Sequence, residues 1–193
     1  MIGAFCGTPV GPQPVENDEM FSFRAMQARD IPAVMSIQAQ AYAPPLHEEE
    51  AVVRSRLAAC PQQAWVAEDA QGVCAYLFAY PSRLGQVTPL DGDFQPQAEA
   101  DCLYLHDLAV ARRAAGRGIG PALVKHKLQR AGAAKLRYSA LVSVQDSQGF
   151  WSRLGFRPEV KLAAPQADNL ASYRIPAVYM VRHLDTEATK QRR

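Results

Sequence analysis

The sequence predicts a single mixed α/β (α+β) domain, and three observations carry that prediction. The composition, 48% hydrophobic and 21% charged over 193 residues, is that of an ordinary globular chain, able to bury a core without disulfide or metal staples. Between residues 21 and 184 strand-like and helix-like apolar patterns follow one another in the order β-α-α-β-β-β-α-β-α-β-β. Within that order, an apolar strand at 102–110 runs into a turn with glycines at 116, 118 and 120, and then into a helix at about 119–131.

Residues 1–20 are rich in glycine and proline and read as a flexible leader. Phe21–Ala25 is a short strand. Ala28–Tyr42 carries Ile31, Val34, Met35 and Ile37 near helical spacing, with Asp30 and Pro32 suited to a helix start and Ala43-Pro44-Pro45 to its end. His47–Cys60 is a second helix, with Glu48–Glu50 placed in its first turn, where the dipole favours acids. Strands at 64–68 and 73–80 flank the turn Ala70-Gln71-Gly72. Pro81–Ala100, with three prolines and no clean period, reads as a long functional loop. After the glycine turn and its helix come a strand at 137–144 and a short helix at 147–154 closed by Gly155. A strand start at 156–160, a loop at 163–172 and a last strand at 177–184 complete the domain, and 185–193 reads as a tail.

A net charge of +2 gives no electrostatic case for nucleic acid or membrane binding. Of the four cysteines, Cys6, Cys60, Cys74 and Cys102, none forms a C-x-x-C pair, so neither a metal nor a redox motif is indicated. Cys74 and Cys102 fall in apolar strands as small core residues, which fits a reducing cytoplasm. No secretory signal or membrane-spanning run is recognisable.

A strand, a glycine-rich turn and a helix N-terminus form an anion site. The first N–H groups of a helix lack internal partners, the dipole adds positive charge, and glycines admit close backbone approach. Arg117 offers a side-chain charge beside them. A P-loop would require Gly-Lys-Ser/Thr, which is absent. A Rossmann turn would require glycine where Pro121 stands and an acid about 20 residues later, where Arg137 and Tyr138 stand.

Ala115-Gly116-Arg117-Gly118-Ile119-Gly120 instead resembles the (Q/R)-x-x-G-x-(G/A) signature of the GNAT superfamily of acyl-CoA-dependent N-acetyltransferases, with alanine at its first position. The strand LHDLAV at 105–110 and FWSRLGF at 150–156 resemble segments of the same family in the same order. The resemblance covers about residues 21–184. It implies a mixed central sheet of about seven strands with helices on both faces, and acetyl-CoA as co-substrate. It also implies a direct acetyl transfer to an amine. Carried over onto this sequence, the strand splays near its end, the Leu108 N–H meets the acetyl carbonyl, Ala109 and Val110 border the pantetheine, and Gly116, Arg117, Gly118, Ile119, Gly120 and Pro121 line the pyrophosphate. Trp151 packs against the cofactor.

The chemistry narrows the roles further. An alkylamine with a pKa of about 10.4 arrives protonated, so a proton acceptor is needed. His106 is the best candidate, being mostly neutral at pH 7. Strand alternation places Tyr104, His106 and Leu108 on one face and Asp107 on the other, unless a bulge re-aims it. The leaving thiolate is served in many family members by a tyrosine where Trp151 stands here, and indole is no acid at neutral pH. Tyr104, Ser147 or water are the substitutes.

A finer resemblance, carried by LAACPQQAWVAED at 57–69 and YLHDLAV at 104–110, is to the arylalkylamine (serotonin-type) branch, with Tyr104 replacing the first of that branch's two histidines. It implies a small aryl amine acceptor framed by Ala43-Pro44-Pro45-Leu46 and the 81–100 loop, with Phe78, Tyr80 and Tyr104 as apolar walls and no acids nearby beyond Asp91 and Asp93. A peptide or protein acetyltransferase and a non-catalytic acyl-CoA sensor are the alternatives. A monomer or homodimer is expected.

Overall fold

The computed structural model describes residues 21–159 and 161–184, so the expected leader, the tail and Val160 lie outside the described residues. Seven strands form one sheet in the order β1-β2-β3-β4-β5-β7-β6: β1 (Ser22–Ala25), β2 (Trp65–Asp69), β3 (Gly72–Ser82), β4 (Cys102–Val110), β5 (Tyr138–Val144), β6 (Arg157–Pro158) and β7 (Ala177–His183). Every pairing is antiparallel except β4 with β5. Five α-helices, α1 (Ile31–Ala41), α2 (Glu50–Ala59), α3 (Ile119–Ala133), α4 (Gln148–Arg153) and α5 (Ala164–Ala171), cover the sheet. This is the mixed sheet of seven strands with helices on both faces that the resemblance implies.

The helices divide between two faces. Ile31, Val34 and Ile37 of α1 and Val53 and Leu57 of α2 pack with Tyr76, Phe78, Tyr80 and Tyr104 of the sheet. On the opposite face, Val124 and Leu128 of α3 and Trp151 of α4 pack with Leu103, Leu105 and Leu141. Cys74 and Cys102 are fully buried in the strands as free thiols, as small core residues should be. No described helix is long and apolar enough to cross a membrane.

Two local expectations require correction. The segment 163–172 contains a helix, α5, rather than a loop. Pro165 there begins a helix instead of breaking one: proline is tolerated in the first turn, where its missing N–H would be unpaired anyway. Helix α2 begins at Glu50, with Glu49 as its N-cap, so only Glu50 occupies the first turn. Glu48 precedes the helix and is buried against Arg56, which donates to both of its carboxylate oxygens.

That ion pair ties three segments together. Arg56 also donates to the Gly92 carbonyl at 2.8 Å, and Glu48 Oε1 accepts from the Asp91 N–H at 3.1 Å. The Gln38 side chain brackets the Glu48 backbone, donating to its carbonyl at 3.0 Å and accepting from its N–H at 3.1 Å. The 81–100 loop is thereby fastened over α1 and α2.

Breaking this pair should be costly. Glu48→Ala leaves the Arg56 guanidinium, 1% exposed, without a counter-charge, and a loss of about 3–5 kcal/mol in urea unfolding is expected. The Glu48 carboxyl is held at about 2, below its ordinary 4.5, so its contribution is fully present above pH 4.5 and is lost as the pH falls toward 2. The variant should therefore show a shallower acid loss over that window.

Candidate active site

The site begins where β4 leaves β5. Their parallel register runs from Cys102↔Tyr138 to Leu105↔Leu141 and stops there, although β4 continues to Val110 and β5 to Val144. A cavity of about 610 Å³ occupies the opening, bordered by Leu108, Val110, Val142 and Val144.

A bulge in β4 decides which side chains face that cavity. Phe78 lies opposite Asp107, while the next β3 residue, Ala79, lies opposite Leu105, so His106 is the extra residue. Directly opposed residues share a face, so Asp107 joins Tyr104 on the α1–α2 face, and Leu108, opposite Leu77, turns to the α3 face. The single-face grouping of Tyr104, His106 and Leu108 is therefore corrected. His106 stays on the Tyr104 side, 5.3 Å from the Phe94 ring, and Asp107 arrives beside it.

Asp107 accepts hydrogen bonds from the Tyr42 hydroxyl at 2.6 Å and the Tyr76 hydroxyl at 2.7 Å. Tyr42 also approaches the Leu108 carbonyl at 2.9 Å. Burial, and then the nearby Glu48 charge, raise the Asp107 carboxyl to about 6 against the two phenol hydrogen bonds. It remains mostly ionised at pH 7.

His106 Nε2 stands 3.7 Å from Glu48 Oε1, and its Nδ1 is buried without a hydrogen-bond partner. Burial, followed by the Arg56 charge, lowers the imidazole pKa despite the pull of Glu48, so the ring is neutral at pH 7. Burial opposes ionisation of Glu48, but contacts from His106 and Arg56 outweigh it. Because His106 is held neutral, Arg56 supplies the lasting counter-charge.

Tyr104 is fully buried and does not border the cavity. Burial raises its phenol well above the ordinary value, and its hydroxyl has no hydrogen-bond partner. Tyr104, Tyr80 and Phe78 form an aromatic layer beneath the site, with Phe94 stacked on Tyr80 at 4.6 Å, rather than its walls. Ala41, Leu46, Leu90 and Tyr173 line the cavity instead. Acidic residues are present there after all, but they are Glu48 and Asp107: Asp93 turns away to accept from Ser55, and Asp91 meets Glu48 through its backbone.

The other end of the cavity is the glycine turn. Gly116 and Gly118 have φ of 77° and 78°, which disfavours any side chain, and Gly118 is the N-cap of α3. Ile119, Gly120 and Pro121 are the first three helical residues. Ile119 and Gly120 supply N–H groups without an intrahelical partner, and Pro121 has none to supply. Leu108, Ala109, Val110, Gly116, Gly118, Ile119, Gly120, Pro121 and Trp151 all border this one cavity. Arg117 does not: its guanidinium donates to Asp69 at 2.7 Å beside Arg113. Trp151 also packs edge-on against Phe150 and Phe156, and Ser147 shares a 2.9 Å hydrogen bond with Ser143.

Residues 31–156 match the model of the acetyltransferase (GNAT) family. The chain belongs to the GNAT family. It is accordingly an acyltransferase with acetyl-CoA as co-substrate, and the glycine turn with its open N–H groups fits a pyrophosphate.

Among solved structures the chain resembles the GphF GNAT-like decarboxylase in complex with isobutyryl-CoA, at 15% identity and a TM-score of 0.70, covering 85% of this chain and 100% of that one. It also resembles the ribosomal-protein-S18-alanine N-acetyltransferase from Escherichia coli, at 15% identity and a TM-score of 0.62, covering 86% and 96%. A GCN5-related N-acetyltransferase from Kribbella flavida matches at 25% identity and a TM-score of 0.60, covering 86% and 99%. No curated protein sequence matches.

The glycine turn yields a direct test. A Cβ at Gly118 meets no atom within 4 Å, but φ of 78° strains any valine. Gly118→Val should fold, lose the backbone approach and abolish acetyl-CoA binding by calorimetry. Unchanged affinity in the folded variant would refute the cofactor end.

Proposed function

We propose that this GNAT enzyme acetylates a small primary amine, with an arylalkylamine as the favoured acceptor, and that His106 takes up the amine proton. The observation that carries this reading is the roof over the acceptor end. The 81–100 loop is fastened by the Arg56–Gly92 bond, by the Leu90 N–H to Ser172 at 2.8 Å, and by Tyr173 donating to the Thr88 carbonyl at 3.0 Å. Leu90 and Tyr173 thereby line the same cavity as Leu46, His106 and Asp107. A covered, apolar-walled recess suits a compact amine with an aromatic body better than an extended peptide.

The amine must shed a proton before it attacks the thioester carbonyl. A neutral imidazole at the cavity wall meets that need, and the Leu108 backbone lies at the mouth of the strand opening, where the acetyl carbonyl is expected. Trp151 supplies no acid, so the departing thiolate, with a thiol pKa of about 8.5, takes its proton from solvent, with the Ser147 hydroxyl on the cavity wall able only to donate a hydrogen bond. The buried, unpartnered Tyr104 supports the aromatic floor.

His106→Ala should lower kcat/KM by about two to four orders of magnitude and remove the histidine limb from the pH profile of kcat. A small loss with an unaltered profile would remove His106 from the mechanism. Across a panel at equal concentration, tryptamine and phenethylamine should show higher kcat/KM than spermidine or N-terminal peptides. A tenfold preference for polyamines or peptides would sink the arylalkylamine reading while leaving the acetyltransferase intact.

A further inference from the structure

We infer that Asp107 is the ammonium-binding carboxylate of the acceptor site, and that it makes the enzyme selective for an amine carrying one positive charge. The inference rests on the small-amine reading above.

The charge balance of the recess points to it. From the end of α1 comes Tyr42, from the approach to α2 Glu48, from α2 itself Arg56, from β3 Tyr76, from β4 His106 and Asp107, and from beyond α5 Tyr173. The phenols are neutral, with Tyr42, Tyr76 and Tyr173 all raised above the ordinary value, chiefly by burial. His106 is neutral, and the Glu48 and Arg56 charges cancel in a bidentate pair. One negative charge is left over, on Asp107.

Asp107 has no cation of its own. Among the described residues its hydrogen bonds come only from Tyr42 and Tyr76, one to each oxygen, and no Lys, Arg or His forms an ion pair with it. A carboxylate has about four acceptor positions, so each oxygen retains one. An unpaired charge in a desolvated recess is expensive. A substrate that enters as an ammonium ion supplies the missing charge and the missing donors together. It also brings its nitrogen next to His106, the adjacent residue of the bulge. A second ammonium would find no counterpart, since Glu48 is already committed to Arg56 and Asp91.

The phenols serve this arrangement. Two neutral donors hold the carboxylate in place without cancelling its charge, as a lysine or arginine would. The bulge is equally necessary, because regular alternation would have turned Asp107 toward α3.

The test is selectivity between phenethylamine and its uncharged analogue 2-phenylethanol, titrated by calorimetry into the full chain saturated with CoA. The wild type should bind the ammonium at least 30-fold more tightly than the alcohol. In Asp107→Asn the ratio should fall below threefold, with CoA affinity unchanged within twofold; persistence of the preference in the folded variant overturns the inference. Should Asp107→Asn fail to fold, Asp107→Ser decides by the same ratio: persistence of the ammonium preference in that folded variant, with CoA affinity unchanged within twofold, overturns the inference. A wild type that acetylates aryl amines yet binds the alcohol as tightly as the ammonium refutes Asp107 and leaves the small-amine reading standing; one that acetylates peptides alone refutes both.

Discussion

The separation of β4 from β5 after Leu105 is the constraint on which the rest of the site depends. A continuous parallel ladder would pair the backbone of His106 through Val110 and close the sheet. The ladder instead ends at Leu105↔Leu141, and the last residues of both strands become walls of a cavity. Helix α3 starts at the far end of this opening, so its N-terminal N–H groups and the acceptor recess belong to one continuous space. The bulge at His106 lies on the other edge of β4, against β3. It allows neighbouring residues, an imidazole and a carboxylate, to occupy one face where regular pleating would separate them.

Charge is distributed unequally across this space. At the acceptor end, the Glu48–Arg56 pair is buried and self-cancelling, and its worth lies more in geometry than in net stability. It joins α2 to the 81–100 loop and sets a carboxylate near His106. Burial disfavours the charged form of both β4 groups, lowering His106 and raising Asp107 to about 6, so their titrations draw together.

At the cofactor end the work falls to the backbone. Arg117, the one side-chain cation within the signature, is drawn to Asp69 together with Arg113, and these arginines hold the Asp69 carboxyl well below the usual range. That cluster anchors the glycine turn to the β2–β3 hairpin. The turn itself presents glycines and helix N–H groups to the cavity, an arrangement whose shape and dipole suit a pyrophosphate without a mobile side chain.

How much of this was legible in the chain follows from the range of the forces involved. Apolar periodicity, proline and glycine placement and the Gly116–Gly120 turn are local, and they determined the strands, most helices, the fold class and the glycine turn at one end of the cavity. His106 was singled out from the chain as well, because imidazole chemistry is intrinsic to the residue, and the fold brings it to the cavity wall. The α5 helix was not, since it is short and its proline reads equally as a break or a start. Asp107, Tyr42, Glu48 and Arg56 were visible as letters but not as a site. The bulge that turns Asp107, and the crossing that brings Tyr42, 65 residues away, to its carboxylate, are products of β3–β4 register and helix packing. Glu48 read as a helix-dipole acid until the fold buried it against Arg56. The sequence by itself determined which chemical groups the enzyme owns and the local geometry of its glycine turn. Only the tertiary structure decided which groups share a face, which charges cancel and which one is left unpaired, because register, burial and desolvation are set by contacts between segments far apart in the chain.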